Sequence, residues 1–534
     1  MKSSDPPWLL RHRSSTAFII ATVWISSFTD YFLYAMVVPI LPTALVERAN
    51  IPYDDREYWV SVLLMSEALT AFLCCPIFGY LVDAAPTRRA PYLLGLIFLG
   101  ASMGMLAFAR STAVFVIARL LQGSATAMVA VAGLALLTDS VPFDNLGQTI
   151  GYQGSAIALG FMLGPLLGGI IYQQAGYGVT MAVAGALVGV DLIMRVVVIE
   201  KGVAAKWIND FPEDSGEPIL SVQNEDGYHT FGAPPASNGL SEDESSDVQA
   251  NGYGDEDDEQ ESATPTILQI ASQPRVVISS FGLLVQGLLF SAFDATIPIF
   301  VETTFNWTAL GAGIAFLPSA LTALLEPFFG YISDKHGPRI PTFTSFILLP
   351  LPLMGMAAIK QNTPAHMAGL LCLLTLTGLL MNLAIPALFV EAQDVLVKLQ
   401  SQSQSQQPTP THQNQHHPQP QAKTKTKTQK NETRGIAQSF GLQTMAQFLG
   451  MFLGSLWGGF VEWRFGWTVM VFSLGNLCFL SAFAMLGLGE RGDYGHEGNG
   501  WVGRVLERLW LRRGKKVKGR NVDGEGEREG LLAH

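Results

Sequence analysis

The stretch Pro76-Ile-Phe-Gly-Tyr-Leu-Val-Asp83 returns 251 positions later as Pro327-Phe-Phe-Gly-Tyr-Ile-Ser-Asp334, each time closing a long apolar run. A second echo links Gly151-Tyr-Gln…Leu163-Gly-Pro-Leu-Leu-Gly-Gly169 to Gly441-Leu-Gln…Leu453-Gly-Ser-Leu-Trp-Gly-Gly459, now offset by 290. The extra 39 residues match a tract of Gln, Ser, His, Pro and Lys between Glu391 and Thr433, so the second half is the first half with one insertion. Duplicated apolar halves are how many secondary transporters are built.

Hydrophobic residues make up 49% of the chain and charged residues 14%, whereas soluble domains carry about a quarter charged residues. That balance excludes an ordinary soluble domain. Runs able to cross roughly 30 Å of hydrocarbon need about 20 residues each. Twelve such runs begin near Ala17, Tyr58, Tyr92, Ala113, Gln148, Gly178, Val276, Leu310, Ile340, Ala365, Ile436 and Trp467, six in each half. Backbone inside lipid has to satisfy itself, so each run is predicted to be a helix. The expected fold is an all-α polytopic membrane protein with twelve crossings in two six-helix bundles around a central cavity. The boundaries follow: an N-terminus at 1–16, bundles at 17–200 and 275–490, a linker at 201–274, an insertion at 391–434 and a tail at 491–534.

The net charge of −11 is local. Residues 208–274 hold 16 acidic side chains and no Lys or Arg, and setting them aside turns −11 into +5. Such a Ser-, Gly- and Asp-rich stretch reads as a disordered connector, with a regulatory segment as the alternative. The insertion reads the same way, and its His412, His416 and His417 lack the Cys or carboxylate company of a metal site. Arg11, Arg13, Arg88, Arg89, Lys335 and Arg339 fall on one side, which predicts cytoplasmic termini, linker and insertion. Asn306-Trp307-Thr308, a glycosylation acceptor pattern, falls on the other side. Cys74, Cys75, Cys372 and Cys478 sit in apolar runs as packing residues, with no disulfide framework. The first run lacks a cleavage site and is expected to stay as a helix. In the tail, Trp501, Val505, Leu509 and Trp510 oppose Arg504, Arg508 and Arg512, the pattern of a basic amphipathic helix on a membrane surface.

Ionisable groups inside a bilayer cost roughly 2.5–3.5 kcal/mol or more at a helix centre, and they mark substrate and proton pathways. Asp30 lies midway along the first run with Ser26, Ser27 and Tyr34 at helical spacing. Asp294 shares a face with Gln286 and Phe290 in the seventh run, Glu326 follows Ser319 and Thr322 in the eighth, Glu67 lies in the second, and Gln443 and Gln447 lie in the eleventh. A desolvated carboxyl favours its neutral form and, once ionised, attracts a cation. Proton and cationic substrate can then compete for one group, the minimal chemistry of an antiporter. The alternative is that each acid pairs with a buried Arg or hydroxyl and organises packing. Arg119 needs an acid or carbonyl oxygens nearby. Asp83, with Arg88 and Arg89, is expected to make loop-locking contacts. Gly164, Pro165 and Gly168 are expected to let helices slide as a gate.

With these residues assembled, the chain resembles the major facilitator superfamily, and within it the twelve-helix drug:proton antiporters related to vesicular amine transporters. Gly79-Tyr-Leu-Val-Asp83-Ala-Ala-Pro-Thr-Arg88-Arg89 and Gly330-Tyr-Ile-Ser-Asp334-Lys-His-Gly-Pro-Arg339 are similar to the superfamily loop signature, the first with Pro86 where Gly is usual. Arg119…Gln122-Gly123 is similar to a signature whose Arg is implicated in proton coupling. Gly160…Gly164-Pro165…Gly168-Gly169 looks like the antiporter signature of the fifth helix. Asp30…Val37-Val38-Pro39-Ile40…Pro42, Phe293-Asp294-Ala-Thr-Ile-Pro298 and Ala315-Phe-Leu-Pro318 resemble helices one, seven and eight of the amine transporters, where the first acid serves substrate recognition. Where those transporters have acids in helices ten and eleven, this chain has Met381, Asn382, Gln443, Thr444 and Gln447. Glu67 replaces their Lys in helix two, which removes an expected buried ion pair and adds an acid.

The resemblance and the residues together predict a proton-coupled exporter of small amphiphilic or cationic compounds. Asp30, Tyr34, Asp294, Gln286, Phe290, Gln443 and Gln447 would contact substrate, and Asp30, Glu67, Asp294, Arg119 and Glu326 would handle protons. Asp83, Arg88, Arg89, Gly164, Pro165, Gly168, Asp334 and Arg339 would form the gates. The expected partners are a small organic substrate, protons and the bilayer, with no nucleic acid, no metal and no cofactor, in a monomer that is not an enzyme. The competing readings are an uncoupled facilitator of neutral solutes and a non-transporting receptor or scaffold.

Overall fold

The long apolar runs satisfy their own backbone groups as helices. The structure, a computed structural model, describes residues 7–208, 267–307, 309–405 and 435–489. Most of the expected linker, the insertion beyond residue 405 and the tail with its Trp501 stripe lie outside the described residues. The principal helices are α1 (Thr16–Val37), α2 (Arg56–Ala84), α3 (Arg89–Phe108), α4 (Thr112–Thr138), α5 (Leu146–Val197), α6 (Pro274–Phe305), α7 (Ala309–Ala323), α8 (Glu326–His336), α9 (Arg339–Leu348), α10 (Pro350–Gly355), α11 (Pro364–Ser405), α12 (Ile436–Phe465) and α13 (Trp467–Met485). Because α11 continues to Ser405, residues 391–405 are helical rather than part of the insertion. Short helices Lys201–Ile208 and Ile267–Ala271 likewise trim the expected linker at both edges.

Among the described residues eleven helical segments are long and apolar enough to cross a membrane. The sequence predicts twelve runs, and the difference lies in α5. Its 52 residues would make a straight rod of about 78 Å. Gly176, at φ 79° and ψ 176°, breaks that rod, so the fifth and sixth runs follow one another without a loop. Gly147 lies beside Asp334 and Val196 accepts from Arg89, whereas Tyr177, next to the break, donates to the Leu106 carbonyl at the far end of α3. The chain therefore turns back at Gly176. The eighth run is divided too, into α7 and α8, by a tight turn just before Pro327.

Arg13 Nε donates to the Val197 carbonyl at 2.7 Å, and the Gly489 amide donates to Glu391 at 2.9 Å. The first and last described residues thus share one end of the molecule, called proximal below. Asn306 caps α6 in the left-handed region at the opposite, distal end, where it is exposed.

Large apolar side chains such as Ile77, Phe108, Ile193, Leu351 and Leu480 are exposed, while Arg119, Arg195, Glu391 and Asp30 are buried. Contiguous apolar surface around a charged interior is what lipid requires and water forbids. Within each half, glycines set the tightest helix crossing. Gly160, Gly164 and Gly168 place α5 against the α1 backbone near Phe28, Phe32 and Met36, and 290 positions on, Gly450, Gly454 and Gly458 place α12 against α6 near Leu284, Leu288 and Ala292. A Cβ on Gly164 would stand 2.7 Å from the Phe32 carbonyl oxygen. The expected gate residues Gly164, Pro165 and Gly168 therefore join helices inside one half, not across the two.

Candidate functional site

The halves meet at the proximal end through two matched latches. Asp83, at the end of α2, accepts hydrogen bonds from the amides of Gly435, Ala437 and Gln438, which start α12, at 3.0–3.1 Å. Asp334, at the end of α8, accepts from the amides of Gly147 and Gln148, which start α5, at 2.8 Å. Each carboxylate thus meets the unpaired N–H groups and positive dipole of a helix N-terminus. Glycines bring the backbones together: Gly79 against Ala437, Gly441 against Cys75, Gly330 against Gly147 and Gly151 against Glu326. Arg88 holds Asp83 from behind at 3.0 Å and Asp139 at 2.9 Å. Burial pushes the Asp139 carboxyl above its usual range, and Arg88 pulls it partly back. Arg89 turns instead to the Val196 carbonyl at 2.7 Å, and Arg339 opens α9 at the same end.

Asp83→Ala removes the charged acceptor of three amides, about 2 kcal/mol by the worth of one charge-assisted bond. The alkylation rate of Cys75, buried beneath Gly441, should then rise roughly thirtyfold as the proximal end opens more often. A rate equal to wild type, read by mass spectrometry at that cysteine, would show that the latch does not hold this end shut.

Above the latches lies a cavity of about 30 Å³ lined by Asp30, Tyr31, Tyr34, Leu64, Glu67, Ala68, Ala71, Thr126, Phe161, Phe448 and Met451, room for one or two waters. Four helices of the first half and α12 of the second build it. Arg119 Nη1 donates to Glu67 at 2.8 Å and to Gln122 at 2.9 Å. Glu67, which stands where the resemblance implies a Lys, is thus paired with the Arg119 that needed an acid nearby, and a different ion pair replaces the expected one. Gly123 makes it reachable, because a Cβ there would strike the Glu67 backbone carbonyl. Asp30 is 1% exposed, and among the described residues its carboxylate accepts a hydrogen bond from Thr126 Oγ1 alone, at 3.1 Å. The Phe161 ring packs on Tyr31, Tyr34 and, across the halves, Phe290 at 5.1 Å between centroids. One turn distal of Phe290, Asp294 is exposed and within electrostatic reach of Tyr34.

Other expected site residues fall elsewhere. Gln286 donates to the Met381 carbonyl at 3.2 Å and Gln443 to the Leu388 carbonyl at 2.7 Å, so both tie helices of the second half together. Gln447 sets its own carbonyl against Gly287. Glu326 is buried at the α7–α8 break, opposite Gly154 in the seam between the halves, with Oε2 unpartnered among the described residues, and it does not line the cavity. The acids of the tenth run are Glu391 and Asp394, ion-paired to Arg275 at 2.5 and 2.9 Å. A larger cavity of about 430 Å³ between α7 and α11 is lined by Ile314, Leu317, Pro318 and Leu321 and holds no ionisable side chain. Sequence reasoning missed Asp191 and Arg195, both buried in α5. Their spacing of one helical turn inside an apolar run was the available signal.

Residues 23–403 match the family model of the Major Facilitator Superfamily. This chain belongs to that superfamily. Over 88% of its length it is 30% identical to the MFS-type transporter ppzB of Metarhizium rileyi, covering 94% of that protein. It is 28% identical to an uncharacterised MFS-type transporter of Schizosaccharomyces pombe over 88% of this chain and 95% of that one. A shorter stretch, 30% of each chain, is 31% identical to the mouse vesicular acetylcholine transporter. In fold the chain is similar to the human organic anion transporter MFSD10, with a TM-score of 0.58 at 16% identity over 90% of this chain and all of that one. As a facilitator-superfamily protein it is an integral multi-pass membrane transporter of small substrates, not an enzyme.

Proposed function

We propose that the protein is a proton-coupled antiporter that expels or sequesters small amphiphilic cations by alternating access, as a monomer with its proximal end in the cytoplasm. The observation that carries this reading is the company of Asp30. Glu67 has its counter-charge in Arg119, whereas among the described residues no basic side chain pairs with Asp30, and a threonine hydroxyl is its donor. The cavity therefore holds one carboxyl in excess, which a proton or a substrate cation can neutralise in turn. Tyr31, Tyr34 and Phe161 supply ring faces that favour a cation. The partial likeness to vesicular acetylcholine transporters, whose named substrate is a small organic cation, points the same way.

The test is reconstitution in liposomes with an imposed pH gradient and a trapped pH dye, challenged with tetraphenylphosphonium, rhodamine 6G and an uncharged compound of similar size. Cations are expected to trigger proton movement and the uncharged compound to trigger none. Passage of all three without regard to the gradient would make the protein a facilitator, and no flux with any of them would count against transport of this class.

A further inference from the structure

Below Asp30, away from the cavity, the first half encloses a second polar cluster. Ser26, one turn along α1 from Asp30, donates to Asp191 of α5. One turn along α5 from Asp191, Arg195 stacks over the Tyr92 ring of α3 at 4.3 Å. Its Nη2 lies 3.7 Å from Glu200, at the proximal end, where Glu200 accepts from the Arg88 amide at 3.2 Å. Ser26, Tyr92, Asp191 and Arg195 are each at most 0% exposed. Yet among the described residues Asp191 Oδ2, all three nitrogens of the Arg195 guanidinium and Glu200 Oε1 have no hydrogen-bond partner. Polar atoms so buried and unpartnered are where ordered water sits in protein interiors.

Asp191 looks onto Asp30, Tyr92 and Arg195, and Arg195 looks onto Tyr92, Asp191, Glu200 and Arg89. A purely structural pair would bond Arg195 directly to Asp191, as Arg119 is bonded to Glu67. Here both partners keep free hydrogen-bonding positions, and the groups run in sequence from the cavity carboxyl to the latched end.

We propose that Ser26, Asp191, Tyr92 and Arg195 form a hydrated proton relay through the first bundle, joining Asp30 to the proximal end while the latches keep substrate from passing. The relay rests on the antiport reading. A proton leaving the Asp30 carboxyl crosses one helical turn through water to the Ser26 hydroxyl, which passes its own proton to the Asp191 carboxylate. Asp191 then releases a proton through water to the partly buried Glu200 carboxylate at the proximal end. Arg195 stays charged throughout and orients the water, as a positioning residue. Ser26 and Asp191 end as they began, Asp30 is left ionised and Glu200 protonated, so one proton moves and no other bond is changed.

Asp191→Asn and Ser26→Ala, compared with wild type in liposomes, test this with tetraphenylphosphonium as probe. Two rates are read: proton movement triggered by the probe, and gradient-free exchange of labelled probe, which needs the bundles to rock but no net proton release. Proton movement is expected to fall roughly tenfold or more in both variants while exchange stays within about twofold of wild type. Wild-type proton movement in Asp191→Asn overturns the relay and leaves antiport standing. A parallel fall in both rates assigns the cluster to helix packing and overturns it as well. A wild-type protein that exchanges the probe without moving protons removes antiport itself, and the relay with it.

Discussion

Asp30→Asn is expected to abolish substrate-triggered proton movement altogether. The amide keeps the shape of the side chain and its bond with Thr126, but it neither releases a proton nor carries the charge that the cavity holds in excess. Loss of a charge-assisted contact is worth about 1.5–3 kcal/mol, so the affinity for tetraphenylphosphonium should fall roughly 10- to 150-fold. Equilibrium binding by calorimetry or filter retention reads the second effect independently of the first. Full proton movement in Asp30→Asn would transfer the coupling role to Glu67 or Asp294 and sink the reading built on Asp30.

Arg119→Leu should lower stability by about 3–5 kcal/mol, the usual cost of leaving half of a buried ion pair behind. Arg119 is at most 0% exposed, and Glu67 has no other ion-pair partner among the described residues. The double variant Glu67→Leu/Arg119→Leu should recover most of that loss, because a neutral pair in the same space strands no charge. Thermal unfolding in detergent, followed by tryptophan fluorescence, compares the three proteins. A single variant as stable as wild type would mean that Glu67 does not depend on Arg119 for its burial.

Much of this architecture can be read directly from the letters. The return of Pro76–Asp83 at Pro327–Asp334 places two structurally equivalent latches, and Asp83 and Asp334 do bridge the halves. The apolar runs mark the crossings, except at Gly176, where two runs join through one glycine and no polar loop signals the turn. Asp30, Tyr34 and Phe290 were identifiable because a carboxyl or ring in lipid stands out by its type alone. Pairing is what the letters conceal. Glu67 and Arg119 are 52 positions apart, and only the close approach of α2 to α4 at Gly123 joins them. Gln286 and Gln443 resemble substrate ligands by type and spacing, but their amides are taken up by the Met381 and Leu388 carbonyls. The glycines of α5 do not decide by spacing alone, since one spacing serves equally for fixed packing and for helices that slide.

The latches also bear on how this chain tolerates change. The donors shown reaching Asp83 and Asp334 across the halves are main-chain amides, and an amide is the same group whichever side chain it carries. Residues such as Gln148, Ala437 and Gln438 can therefore drift without loosening the contact, with proline, which lacks the N–H, as the replacement that breaks it. Mutational harm at this interface is concentrated in two carboxylates and the glycines that let the backbones touch. For a clinician or breeder ranking natural variants, a substitution at Asp83 or Asp334 outweighs many at the donors they bind.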